Sequence, residues 1–248
     1  MATPRHLSRA PITEAVIDLR CRVDSAFDVN SFRNLETAIG YPVVKPIQLF
    51  EFHMKQEAGK EPENSQVNHG LIGWRFTSAD GKQVAQLRKD GFTFSRLAPY
   101  THWAEVFAEA SRLYPLYLEC AQPGEVTRPA VRYINRMPLP EAEVGDFSPF
   151  LTAPPTCPTD RQVVLNGFLT QVQVHDPVTG ISATITQTIQ SGGDSPGFVP
   201  VILDLDVYET RSFPPDAKTI LARFDALRET KNSYFFSSIT EKTVALFE

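Results

Sequence analysis

Along residues 12–23, Ala15, Ile17, Leu19, Cys21 and Val23 alternate with Glu14, Val16, Asp18, Arg20 and Arg22. A period of two sends successive side chains to opposite faces, so this segment predicts a half-buried strand. From Asp28 the period changes. Phe32, Leu35 and Ile39 are spaced for one face of a short helix, with Asp28 as its N-cap and Gly40 just past its end. Residues 43–54 read as extended, and the polar tract 55–68, without a single aromatic residue, predicts a mobile loop. Residues 71–77 and 83–88 flank Asp80-Gly81, a strong hairpin signal, because the tight turn needs positive φ at its centre. A second Asp-Gly, Asp90-Gly91, precedes another short strand at 92–97. Beyond Pro99, Trp103, Val106, Phe107, Ala110, Leu113, Tyr114 and Tyr117 keep helical spacing. Pro115 lies within that pattern and is expected to kink or interrupt the helix.

The pattern then restarts. Residues 126–137 read as a strand, and 138–160, with six prolines, as an irregular excursion holding one helical turn near 147–151. Residues 162–175, 181–190 and 199–208 are strand-like, with a glycine-rich loop at 191–197. Pro214-Pro215-Asp216 leads into a helix with Ala217, Ile220, Leu221, Phe224 and Leu227 on one face. These five positions fall 114 residues after Trp103, Val106, Phe107, Ala110 and Leu113. The chain therefore predicts two similar halves, residues 1–125 and 126–248, packed as one unit, although identities between them are few. Tight hairpins make the strands antiparallel, and helices with a single apolar stripe belong on one face of the sheet. The expected class is α+β, with a curved antiparallel sheet of the TATA-binding-protein-like or helix-grip kind. That comparison concerns architecture and carries no function.

Four stretches together resemble a known family: Ala10-Pro11-Ile12-Thr13-Glu14-Ala15, the run from Phe92 through Pro99-Tyr100 with Trp103 following, Arg132-Tyr133-Ile134-Asn135-Arg136, and Ile202-Leu203-Asp204-Leu205-Asp206-Val207. In this order they are similar to an uncharacterised, sporadically distributed bacterial family. The resemblance spans nearly the whole chain. It implies an accessory role, such as defence or stress response, and transfers no catalytic residue.

Composition narrows the function classes. A chain of 248 residues with 42% apolar and 21% charged residues can bury a real core. Its net charge of −5 argues against non-specific binding to nucleic acid or to an anionic membrane. No window offers the ~18 apolar residues of a membrane span, and the N-terminal residues do not read as a signal peptide. Cys21, Cys120 and Cys157 are far apart and odd in number, which predicts reduced thiols and a cytoplasmic setting. No cofactor is implied.

Candidate chemistry is confined to charged strand faces. Asp204 and Asp206 share a face and could hold Mg²⁺ or Mn²⁺, or could simply be balanced by arginines. Arg20 and Arg22 share a face of the first strand with Glu14 and Asp18. Arg132 and Arg136 share a face of its counterpart, with Arg128 at the same parity. An arginine cluster there could bind a phosphate or carboxylate, and cross-strand ion pairs are the plainer reading. The five histidines (His6, His53, His69, His102, His175) have no metal spacing, and the glycine-rich loop 192–197 lacks a P-loop lysine. The apolar tail 244–247 is expected to dock on the protein itself, with a short helix after Thr240. The leading expectation is a non-enzymatic module that holds a protein partner or an anionic ligand on its sheet or between its halves. The alternative is a metal-dependent hydrolase or nuclease using the strand carboxylates.

Overall fold

The computed structural model describes residues 1–55, 63–140, 146–156, 165, 167–190 and 196–248. Nine strands form one antiparallel sheet: β1 (Ile12–Arg22), β2 (Val43–Lys55), β3 (Glu63–Thr77), β4 (Gln83–Arg88), β5 (Gly91–Leu97), β6 (Glu125–Pro140), β7 (Leu169–His175), β8 (Ile181–Ile189) and β9 (Phe198–Glu209). Their order is β2-β3-β4-β5-β1-β6-β9-β8-β7. Reading outward from the centre, β1 is followed by β5, β4, β3 and β2, and β6 by β9, β8 and β7. The two central strands pair antiparallel, and Ile17 lies opposite Val131. That pair is separated by the same 114 residues as the two apolar helix stripes.

Alternation assigns the faces. Ala15, Ile17 and Leu19 of β1, Phe92 and Phe94 of β5, Tyr133 and Met137 of β6, and Leu203, Leu205 and Val207 of β9 are all buried. Helices cover this face. Residues Val29–Leu35 form a 3₁₀ turn, and α1 spans Glu36–Ile39, α2 Trp103–Ala121, α3 Ala217–Leu221, α4 Phe224–Ser238 and α5 Glu241–Ala245. Helix α2 lies against β5 and β1, and α4 against β6 and β9. Tyr114 and Tyr117 pack on Phe92. On the second half, Phe235, Phe236, Ile239 and Val244 join Leu203 and Leu205 in a core of their own.

Capping explains the helix starts. The Asp28 side chain accepts from Asn30 N–H, Asp216 from Thr219 N–H and Thr240 from Thr243 N–H. Gly40 ends α1 at φ 74°, the left-handed position that glycine adopts without Cβ strain.

Three expectations change. Helix α2 runs through Pro115 unbroken, because Leu113, Tyr114 and Tyr117 on either side are all buried. Their packing outweighs a proline cost of about 3 kcal/mol. The tract 55–68 is not a loop at both ends. Strand β2 reaches Lys55 and β3 begins at Glu63, in a register continuous from Phe50–Asn68 to Lys55–Glu63. A backbone ladder needs no apolar side chains, so polar composition hid the strand. The second long helix is broken into α3 and α4 at Ala222 and Arg223. Cys157 and the glycine-rich segment 192–195 lie outside the described residues, as do parts of the excursion 138–160 and the start of 162–175.

Candidate functional site

The predicted charged residues all lie on the helix-free face, and each has a partner. Arg132 forks onto Asp204, with Nε 2.9 Å from Oδ1 and Nη2 2.5 Å from Oδ2. Arg128 meets Asp206 at 2.6 Å and lies over the Tyr208 ring. Burial raises the Asp206 pKa, against the lowering effect of Arg128. Arg20 pairs with Asp18 and Asp90, Arg22 with Glu125, and Arg136 donates to Gln190. Deeper in the same lattice, Thr93 donates to Asp18 at 2.5 Å and Arg88 reaches both.

The four arginines proposed as a ligand cluster do not converge. Arg22 stands at the β1 end that pairs with Glu125, whereas Arg136 bonds Pro11 at the other end. Ten strand residues at ~3.3 Å each separate those ends by roughly 30 Å. Asp204 and Asp206 are likewise each committed to an arginine. Among the described residues, no group of three or more His, Cys, Asp or Glu side chains is placed to hold a metal ion.

The site with unspent chemistry lies on the opposite face. A cavity of about 610 Å³ opens between the N-terminal arm, the β5–α2 connection, β6 and α4. Pro4 to Ser8 roof it. Tyr100, His102 and Trp103 come from the connection, Tyr133 and Asn135 from β6, and Arg228, Lys231, Asn232, Phe235 and Phe236 from α4. The arm is strapped down at its ends. Ala2 N–H donates to the Phe236 and Ile239 carbonyls, Arg5 pairs with Glu241 and Glu248, and Arg9 N–H donates to the Phe247 carbonyl.

Among the described residues no aspartate or glutamate lines this cavity, whereas Arg5, Arg228 and Lys231 do. Lys231 is 7% exposed. Its ammonium lies 3.8 Å from the centre of the Tyr133 ring and has no carboxylate or hydrogen-bond partner among the described residues. Arg228, one helical turn before it, sits over Trp103, and its Nε is buried without a partner. The Tyr133 hydroxyl is also buried, and its polar neighbour is another tyrosine, Tyr100, rather than a charged group. Desolvation, then the charge of Arg228, lowers the Lys231 pKa from its ordinary 10.5 to about 7. Burial raises those of Tyr100 and Tyr133. The acids next to lining residues are engaged elsewhere: Glu105 with His102 and Thr101, and Glu241 and Glu248 with Arg5.

A buried cation ordinarily carries a counter-charge, because stripping its water costs several kcal/mol. Here the cavity itself is where that counter-charge would go. Lys231 and Arg228, neither paired with a carboxylate among the described residues, and walls of Tyr, Trp and Phe make a site that accepts an anion on an apolar or aromatic body.

Comparison with protein-family models and with curated proteins finds no match to this chain. Separate stretches of the chain meet at this cavity, through Ala10 to Ile12, Tyr100 with Trp103, and Tyr133 with Asn135.

Lys231 and Arg228 were not among the residues singled out from sequence. The signal was present. Phe224, Leu227 and Phe235 continue the apolar stripe, and Lys231 occupies the position between them where an apolar residue belongs. In β6, attention to the arginine parity passed over Tyr133 and Asn135, which face the helices.

Proposed function

We propose that this protein is a binding module for a small organic anion, held in the cavity between the β5–α2 connection and α4. The observation that carries the reading is Lys231, a buried cation on a cavity wall that, among the described residues, carries no carboxylate. Arg228 supplies a second donor on the same helix face, and the aromatic walls supply apolar contact for the rest of the ligand.

The cavity draws on both spans of the chain, Tyr100 and Trp103 from 1–125, and Tyr133, Arg228 and Lys231 from 126–248. The outward strand order and the Ile17–Val131 register support reading these spans as related halves, with the ligand at their junction.

Thermal melting with acetate, pyruvate, benzoate and inorganic phosphate tests the reading. At least one of these raises the melting temperature of the wild type and fails to do so for Lys231→Met with Arg228→Met. The open-face variant Arg132→Ala responds like the wild type. No response to any anion, or an equal response in the double variant, overturns it.

A further inference from the structure

We propose that Lys231 binds its ligand covalently and reversibly, as an imine with the carbonyl of a 2-oxo acid whose carboxylate is held by Arg228. This rests on the anion-binding reading above and goes beyond it, since anion binding alone needs no reactive nitrogen.

The argument starts from placement. Lys231 is largely buried on the cavity wall, and among the described residues its nitrogen is not bound to any carboxylate that would hold it as ammonium. An amine is a nucleophile only without its fourth hydrogen, and an apolar, acid-free site is how proteins favour that form. The groups around it are Arg228 from its own helix, Tyr133 from β6, Tyr100 and His102 from the connection, and His6 and Arg5 from the arm, and none of them is a carboxylate. The lowered pKa of Lys231 agrees with this placement.

The ligand class follows from the second cation. Arg228 and Lys231 are three residues apart on one helix, so their Cβ atoms lie about 5–6 Å apart on the same face. A 2-oxo acid carries its carbonyl carbon next to its carboxylate, so one end pairs with a guanidinium while the other meets the amine. Tyr100, Trp103, Phe235 and Phe236 leave the third substituent an aromatic wall, and the cavity of about 610 Å³ has room for a ring.

The step balances without an oxidant or reductant. The neutral Lys231 nitrogen attacks the carbonyl carbon, forming a C–N bond and a carbinolamine. The hydroxyl then departs as water with the second nitrogen-bound proton, both carbon–oxygen bonds are gone, and a C=N bond remains. Hydrolysis runs the same path backwards.

Sodium cyanoborohydride trapping of the full chain with pyruvate and with phenylpyruvate is the test, read by intact mass and peptide mapping. One adduct per chain, on Lys231, is expected, with the mass of the acid less one oxygen. Its rate of formation rises with pH through about 7. Lactate, which has no carbonyl, raises the melting temperature but leaves no adduct, and Lys231→Arg keeps the cation and loses the labelling. If both oxo acids stabilise the protein in melting but label no more of Lys231 than of surface lysines, the imine is overturned and anion binding stands. If they neither stabilise nor label, both readings fall together.

Discussion

The ammonium nitrogen of Lys231 lies 3.8 Å from the centre of the Tyr133 ring, and among the described residues no carboxylate lines the cavity with it. A cation–π contact offsets part of the desolvation of that charge, ~2 kcal/mol in a dry setting, and leaves the rest uncompensated. On the proposed reading, Lys231 costs the fold stability in exchange for binding.

Removing that charge should stabilise the empty protein. Lys231→Met retains the side-chain length and is expected to gain on the order of 4 kcal/mol at pH 7, from a pKa held about three units below 10.5. The folded pKa lies below the unfolded one, so the unfolded chain binds the extra proton between pH 7 and 10.5. Wild-type stability therefore climbs across that window relative to Lys231→Met. Urea denaturation of both proteins at pH 6.5 and pH 9.5 measures it. A constant difference between the two would show that Lys231 is not strained by burial.

The open face should respond differently at its centre and its margin. Asp18, Arg88 and Thr93 are buried together, so Asp18→Ala takes the shared acceptor from Thr93 and Arg88, leaves Arg88 only Asp90 as a carboxylate partner, and is expected to cost about 3 kcal/mol. Arg132 is half exposed, so Arg132→Ala should cost under about 1 kcal/mol despite its fork onto Asp204. Denaturant midpoints rank them, and equal losses would refute this account of the lattice.

At Gly91, β5 passes close to β1. A Cβ there would lie 2.0 Å from the Leu19 carbonyl oxygen, at a φ of 153°. Gly91→Ala should lower the melting temperature sharply, whereas Gly81→Ala, in the open turn after β3, should cost only about 1 kcal/mol of backbone strain.

The arm over the cavity is tied down mainly through Arg5, with Glu241 and Glu248. Arg5→Ala should speed amide hydrogen exchange in residues 2–10 while leaving the core strands protected. It should also speed ligand dissociation. Unchanged exchange in the arm would show that Ala2 and Arg9 suffice to hold it.

Much of this fold was legible because its elements follow a single period each. The alternation in residues 12–23 and 199–208 gave β1 and β9, and Asp80-Gly81 gave the β3–β4 turn. The arginine–aspartate parity of β6 and β9 foreshadowed the Arg132–Asp204 pair. What failed were places where one local rule competed with a distant contact. Pro115 sits in a helix that its buried neighbours hold together, and residues 63–68 form a strand only because β2 lies beside them. The site was hidden for a related reason. A lysine on α4 reads as solvated until the arm, β6 and the β5–α2 connection close around it, and those come from three separate parts of the chain.

The most direct test of the anion site is calorimetric titration of the best-stabilising anion at pH 8, in Tris and in HEPES, for wild type and Lys231→Met. An incoming negative charge raises the Lys231 pKa, so wild-type binding should take up as much as one proton, and affinity should fall as pH rises above 7. Lys231→Met should bind at least about tenfold more weakly, with no proton uptake. Equal affinity and equal proton uptake in the two proteins would contradict the account.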